Sequence, residues 1–271
     1  MSANPGRDTL QRIAHEAAVL VTVVRTQGSV PREVGTVMAV FAQGEAGTIG
    51  GGHLEFEAIR LARAALAGAG LPVGEQRYAL GPSLGQCCGG VMFLTFERVG
   101  SADVARLGER LSVARMPVAL FGGGHVGRAL AQVLLLLPVA LRWIDSREAI
   151  FPDDVPPEVE CEQSEPVQAV VADLAPGSRV LIMSFSHAED LEIVAACLKR
   201  LRQRDDLPYI GLIGSATKWA RFRHQLEQRG FTEQECDRVT CPIGIAGIEG
   251  KEPGVIAVAV AAQLLQLGAV P

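Results

Sequence analysis

Three glycines, Gly122, Gly124 and Gly127, constrain the fold of this chain more than any other feature of its sequence. They fill the G-x-G-x-x-G template, in which the first allows a sharp turn and the second lets the backbone approach a phosphate. The third lets a helix pack closely on a strand. Because an apolar segment at 117–121 precedes the glycines and aliphatic residues follow them at helical spacing, the pattern predicts a strand, a tight turn and a helix. The N-terminus of that helix is suited to an anion.

A second predicted strand, 139–144, ends in Asp145, about 20 residues beyond the glycines, where dinucleotide-binding folds carry a ribose-binding acid. We therefore predict that Asp145 and the three glycines, with His125 beside them, bind a cofactor. The alternative is a tight turn in an α/β sheet without a ligand. In that case His125 is a solvated or packing histidine at a helix start.

Composition narrows the class of protein. The chain has 271 residues, of which 48% are apolar and 20% charged, which is typical of a soluble globular protein of two domains. A net charge of −5 argues against a nucleic-acid binder, since phosphate contacts need clustered Lys and Arg. No apolar run reaches the ~18 residues of a membrane span, and residues 1–16 show no secretory leader. We therefore expect a cytoplasmic protein with its six cysteines reduced.

The periodicity changes near residue 115 and predicts two domains, 1–115 and 116–271. The C-terminal one alternates strands with helices, which predicts a Rossmann-like, doubly wound parallel sheet. The N-terminal one is predicted to be α+β. Its details include a β-branched strand at 18–26 and a short strand at 47–49, and the C-terminal details include a short helix at 233–239 and a final helix at 253–267.

A second glycine turn, Gly50-Gly51-Gly52-His53, opens a predicted helix in the N-terminal domain. Because it also ends in histidine, it predicts a second anion site at a helix start. The surrounding strands look antiparallel, so the dinucleotide template does not apply to this turn.

The adjacent thiols Cys87 and Cys88 follow Gln86 in a glycine-rich loop. In tetrahedral zinc sites, paired cysteines are separated by intervening residues, so we do not expect a structural zinc ion at two adjacent cysteines. One interpretation is that a thiol contacts a soft centre such as molybdenum or sulfur. The other is that two small residues fill the loop, since free cysteine behaves as a small hydrophobe.

The segment Ser184-Phe185-Ser186-His187 lies at the carboxyl end of a predicted parallel strand, where α/β sheets bind ligands, and it has two interpretations. Ser186 can cap the next helix, with Glu189 near the position of a capping-box acid. Alternatively, His187 and Asp190 form a pair for proton transfer. We favour the cap.

A further strand-to-helix loop, 211–218, lacks the complete P-loop template, so no nucleotide triphosphatase is predicted. Lys218 and Arg221 at the start of its helix either neutralise a phosphate or are solvated charges.

Six motifs, taken together and in this order, resemble the XdhC/CoxI family, and the resemblance extends over nearly the whole chain. They are Gly28-Ser29-Val30-Pro31-Arg32, Gly50-Gly51-Gly52-His53, Gly85-Gln86-Cys87-Cys88-Gly89-Gly90, Phe121-Gly122-Gly123-Gly124-His125-Val126-Gly127, Gly211 to Lys218, and Cys241-Pro242-Ile243-Gly244.

The resemblance implies an accessory protein and not a metabolic enzyme. Members similar to this chain bind the molybdenum cofactor (molybdopterin with its metal) and protect it during sulfuration by a cysteine desulfurase. They then insert the cofactor into xanthine dehydrogenase. On this basis we expect Cys87 or Cys88 to contact the molybdenum and the glycine turns to hold the phosphate. The buried-looking C-terminal helix suggests a homodimer.

Two other functions remain open from the sequence. The first is an NAD(P)-dependent oxidoreductase that uses the glycine motif with Asp145, for which NADH or NADPH binding with hydride transfer is the discriminating observation. The second is a protein–protein adaptor with a vestigial nucleotide fold, which would neither carry nor take up a pterin.

Overall fold

The structure, a computed structural model, describes residues 5–80, 89–111 and 115–268. The chain divides into two compact units, residues 1–113 and 114–271. The first contains an antiparallel sheet with helices and the second a parallel sheet with helices. The mixed α/β class with a Rossmann-like C-terminal sheet is therefore confirmed.

The N-terminal unit is built on a sheet of strand order β3-β2-β1-β5-β4, and its described neighbours all pair antiparallel. Its elements are α1 (Pro5–Ile13), β1 (Ala18–Gln27), β2 (Val37–Phe41), β3 (Glu45–Ala46), α2 (Gly52–Leu66), β4 (Gln76–Ala79), β5 (Val91–Val99) and α3 (Val104–Leu111), the last preceded by a 3₁₀ turn at Ser101–Asp103.

The β-branched run in β1 is explained by its central position in this sheet. Val19 and Val21 pack in the same apolar cluster as Leu54 of α2. Leu20, on the opposite face, packs in a cluster with Ile13 of α1. Because both faces of the strand are covered, its sequence is continuously apolar instead of alternating.

The predicted strand at 47–49 is wrong. The strand is Glu45–Ala46, which pairs with β2, and the chain leaves the sheet at Gly47, where φ is +80°. A Cβ at Gly47 would lie 2.8 Å from the carbonyl oxygen of Val37, so only glycine fits this departure.

The C-terminal unit has a parallel sheet of strand order β11-β10-β9-β6-β7-β8 in its described residues. Its elements are β6 (Met116–Phe121), α4 (His125–Leu134), β7 (Val139–Asp145), β8 (Glu160–Gln163), a 3₁₀ segment (Val167–Asp173), β9 (Arg179–Ile182), α5 (His187–Arg204), β10 (Tyr209–Leu212), α6 (Ala216–Gln228), α7 (Glu233–Cys236), β11 (Val239–Thr240) and α8 (Pro253–Gln266).

The strand order reverses between β6 and β9. From β6 the chain builds towards β7 and β8 on one side, then crosses to β9 and continues to β10 and β11. Leu120 of β6 packs in one apolar cluster with residues of α4 and α8, and Phe121 packs in the opposite cluster with α5. In such a doubly wound sheet, ligands bind in the crevice at the carboxyl ends of the two strands where the order reverses.

The last elements of the C-terminal unit test two predictions, of which one is wrong at its end and one is confirmed at its start. The short helix predicted at 233–239 ends at Cys236, and Val239–Thr240 forms β11 against β10. A strand of two residues is too short to produce an alternating pattern. Helix α8 begins at Pro253, as predicted, and packs on α4. The outer side of α8 exposes Val258 and Leu265, and the homodimer through this helix stays a prediction.

Among the helices that the structure describes, none combines the length and the apolar character needed to cross a bilayer.

Candidate functional site

The glycine turn after β6 is shaped by close backbone approaches. A Cβ at Gly122, whose φ is +124°, would lie 2.0 Å from the carbonyl oxygen of Met183. A Cβ at Gly127 would lie 2.0 Å from the carbonyl oxygen of Gly122, so α4 can approach the strand only through a glycine. The indole of Trp143 donates to that same carbonyl at 2.9 Å. The first and third glycines therefore serve the turn and the helix packing.

The start of α4 differs from the starts of the next two helices. Gly124 is its N-cap residue, and no side chain accepts a hydrogen bond from the first-turn amides. In α5 and α6, by contrast, Ser186 and Ser215 each accept a first-turn amide at 3.2 Å. A Cβ at Gly124 would have no atom within 4 Å, and His125 beside it is exposed. Uncapped amides and the helix dipole favour an anion at this position.

Asp145 is buried, and its carboxylate is already bound by the chain. One oxygen accepts the amide of Gly123 at 2.6 Å and the Arg147 guanidinium at 2.8 Å. The other accepts the side chain and the amide of Arg147, both at 2.9 Å. A ribose hydroxyl would have to displace one of these donors. The ribose-binding role of Asp145 stays a prediction.

The pKa of Asp145 reflects two opposing effects. Burial raises the pKa, but the hydrogen bonds from Arg147 and from the amides of Arg147 and Gly123 outweigh burial, so the pKa lies below its ordinary value. The folded chain thus binds the proton of Asp145 less readily than the unfolded chain does.

We expect the Asp145 carboxylate to make the free energy of unfolding depend on pH in the acid range. Its contribution is complete above the unfolded-chain pKa of about 3.9, and it is lost as the pH falls through the lower folded pKa. The free energy of unfolding of wild type and of Asp145→Asn, measured in urea at neutral pH and at pH values below that pKa, tests this. The difference between the two proteins should be largest at neutral pH and shrink in acid. An equal difference at both pH values would contradict it.

The glycine turn before α2 is filled by the chain itself. The Glu55 carboxylate accepts the amide of Ile49 at 2.9 Å and that of Gly51 at 3.1 Å, and it also accepts the hydroxyl of Thr48. That hydroxyl oxygen accepts the amide of Gly50 at 3.1 Å.

An external anion at this turn would have to replace Glu55. Gly52 and His53 follow the turn as the first residues of α2, and both are exposed. The anion-binding role predicted for Gly50, Gly51, Gly52 and His53 stays a prediction.

A buried ion pair joins the starts of α5 and α6. Asp190 accepts the Lys218 ammonium at 2.6 Å and the amide and hydroxyl of Ser184 at 2.9 and 2.7 Å. Lys218 also donates to the carbonyl of Ile213 at 2.8 Å. The side chains of Lys218 and Asp190 are 11% and 3% exposed, so Lys218 is not a solvated charge.

The cap interpretation of Ser186 is confirmed, because its hydroxyl accepts the amide of Glu189. The imidazole of His187 packs edge-on against the Phe222 ring, with centroids 6.4 Å apart. Asp190 is bound to Ser184 and Lys218, so the arrangement does not favour proton transfer between His187 and Asp190.

The sequence placed Phe185 at the carboxyl edge of the sheet but did not single out Ser146 and Arg147, which follow β7 at the same edge. The Arg147 guanidinium lies over the Phe185 ring, 4.6 Å from its centroid. The Ser146 hydroxyl donates to the Glu189 carboxylate at 2.7 Å. The positions of Ser146 and Arg147 directly after β7, at the carboxyl edge of a parallel sheet, were the signal available in the sequence.

The loop with Gln86, Cys87 and Cys88 lies outside the described residues. Within 5–80, 89–111 and 115–268, no group of three or more His, Cys, Asp and Glu side chains is arranged to hold a metal ion. The contact of Cys87 or Cys88 with a metal stays a prediction.

Comparisons with known proteins agree with this architecture. The uncharacterized protein YqeB of Escherichia coli (strain K12) is 30% identical over 254 residues, which is 92% of this chain and 43% of YqeB. The chain thus spans less than half the length of this curated relative. A crystal structure described as a xanthine dehydrogenase from Bacillus halodurans shares the fold, with a TM-score of 0.79 at 19% identity over 98% of this chain and 96% of that one.

The family comparison covers both units. Residues 12–78 match the XdhC and CoxI family, and residues 118–264, which include most of β6 and the glycine turn, match the XdhC Rossmann domain. The chain belongs to the XdhC and CoxI family.

Proposed function

We propose that this chain is an accessory protein in the maturation of xanthine dehydrogenase. It binds the molybdenum cofactor, protects it during sulfuration by a cysteine desulfurase and inserts it into the dehydrogenase. Membership in the XdhC and CoxI family supports the accessory role. The observation that carries the binding role is the uncapped start of α4 beside the open backbone of Gly124.

The described residues fit one end of this cofactor. Molybdopterin carries a phosphate, and the first-turn amides of α4 supply donors and a positive dipole end for it. The thiol of Cys87 or Cys88 would supply a soft ligand for the molybdenum end. When bound, the cofactor supplies the metal centre that the dehydrogenase requires, and this chain contributes binding and shielding.

Substitution at Gly124 tests the phosphate site. The φ of −71° suits any residue, and valine is a poorer N-cap than glycine, so Gly124→Val should fold with a free energy of unfolding within about 1 kcal/mol of wild type. Its side chain would stand where the phosphate approaches, so we expect affinity for molybdopterin to fall about tenfold, equivalent to about 1.4 kcal/mol. Equilibrium binding and activation of cofactor-free xanthine dehydrogenase are the measurements.

Gly100→Val is the matched control. Gly100 is also an N-cap residue in extended backbone, with nothing within 4 Å of an added Cβ, but it lies in the N-terminal unit. Equal affinity in wild type and Gly124→Val would contradict the phosphate site. In the same assay, a Cys87→Ala and Cys88→Ala double variant with full affinity and full activation would refute the thiol role.

The alternative function is an NAD(P)-dependent oxidoreductase, which the strand order and the glycine turn favour. The engagement of Asp145 by Arg147 and Gly123 disfavours it, because a ribose would find no open carboxylate oxygen there. If NADH binds at micromolar concentration with hydride transfer, and molybdopterin does not bind, the accessory function is wrong.

A further inference from the structure

Two contacts connect the segments on either side of the β6 carboxyl end. Ser146 and Arg147 follow β7, whereas Phe185 and Glu189 follow β9, and β6 lies between these strands. The Ser146–Glu189 hydrogen bond and the Arg147–Phe185 stacking therefore cross the crevice beside the glycine turn. Through Arg147 and Asp145, the stacked Phe185 is connected to the amide of Gly123 in the glycine turn that precedes α4.

Glu189 has one carboxylate oxygen that the protein does not use. Oε1 accepts the Ser146 hydroxyl, whereas Oε2 is buried and has no hydrogen-bond partner among the described residues. In a capping box this carboxylate would turn back to the amide of Ser186. Here it turns to Ser146 instead, which leaves a buried acceptor in the crevice. Buried acceptors of this kind nearly always have a donor.

Phe185 is a large aromatic side chain that remains 64% exposed. One side of its ring is stacked by Arg147, and Arg147 is in turn fixed by its ion pair with Asp145. The ring is therefore held in place while much of its surface stays available. A fixed, exposed aromatic ring is a platform for stacking a flat ring.

We propose that Phe185 and Glu189 form a subsite for a flat nitrogen heterocycle. The heterocycle stacks on Phe185 and donates a ring N–H or amino group to the Glu189 carboxylate, which turns from Ser146 to present its covered Oε2, while a phosphate on the same ligand lies at the start of α4. This rests on the proposed function, since a pterin is such a ring. It assigns ring recognition to Glu189 and not to Asp145, whose oxygens are bound by Arg147 and Gly123.

Variants of both residues test the subsite in the full-length chain. Phe185→Ala should bind molybdopterin about tenfold more weakly than wild type, within the range known for stacking on aromatic side chains. Glu189→Gln should also bind it about tenfold more weakly, because a hydrogen bond to a charged acceptor is lost. Both should bind inorganic phosphate as wild type does. Phe56→Ala is the control for the first, because Phe56 is also 64% exposed but lies on α2. Glu192→Gln is the control for the second, one turn further along α5.

The outcomes separate the subsite from the proposed function. If wild type and both variants bind molybdopterin equally, the subsite is wrong and the function stands. If wild type binds AMP or NADH and not molybdopterin, and both variants lose that binding, the subsite stands and the function is wrong. If wild type binds inorganic phosphate but neither molybdopterin, AMP nor NADH, both are wrong.

Discussion

Gly122→Ala is expected to destabilise the C-terminal unit more than the other single glycine substitutions at this turn. The added Cβ would lie 2.0 Å from the carbonyl oxygen of Met183, and the φ of +124° strains any residue with a side chain. Overpacking costs roughly 1–3 kcal/mol and backbone strain costs roughly as much again. The sum, about 4 kcal/mol, is a large part of the 5–15 kcal/mol that stabilises an ordinary domain. Urea unfolding followed by tryptophan fluorescence measures the loss, since Trp143 contacts this turn and Trp219 lies on α6 of the same unit.

Gly124→Ala provides the matched comparison, two residues along the same turn. Its Cβ would meet no atom within 4 Å and its φ is −71°, so we expect the urea midpoint to stay close to that of wild type. Similar midpoints for Gly122→Ala and Gly124→Ala would show that β6 and β9 do not approach as closely as described.

The second large effect is expected at the buried ion pair. Asp190→Ala leaves the Lys218 ammonium without its carboxylate, and it also removes the acceptor of the Ser184 amide and hydroxyl. Breaking a buried pair from one side costs about 3–5 kcal/mol. The measurement is the free energy of unfolding in urea at neutral pH.

The double variant Asp190→Leu with Lys218→Met removes both charges but keeps apolar side chains of similar size in their place. Removing both charges leaves neither uncompensated, so it should be less destabilised than Asp190→Ala. If the double variant is the more destabilised of the two, the pair itself stabilises the fold, and our explanation of the single variant is incorrect.

Local sequence patterns were sufficient to predict the core of the C-terminal fold. The glycine spacing, the apolar strand before it and Asp145 after the next strand are all short-range features, and the structure has the strand, turn and helix that they predict. The serine cap of α5 was predictable for the same reason. Strand β11, by contrast, has only two residues, which pair with β10. A segment this short shows no hydrophobic periodicity, so the sequence did not predict it.

The partners of the charged side chains were not predictable. Lys218 reaches Asp190 across 28 positions, and Asp145 reaches the Gly123 amide across 22. Such contacts arise when the carboxyl ends of parallel strands come together. The order of the strands in the sheet, which decides which ends are adjacent, cannot be derived from a single sequence. The filling of the first glycine turn by Glu55 was missed for a different reason, since the residue is nearby but its side chain had several acceptable orientations.

Glu55 acts towards its glycine turn as a tethered competitor. Because the carboxylate belongs to the chain, its local concentration at the turn is on the order of millimolar or higher, and it never diffuses away. Free phosphate would therefore have to compete with the Glu55 carboxylate, whose local concentration does not fall when the protein is diluted. The two glycine turns are therefore occupied to different extents by carboxylates of the chain, since Glu55 accepts two amides and a hydroxyl at the first, whereas Asp145 accepts one amide at the second.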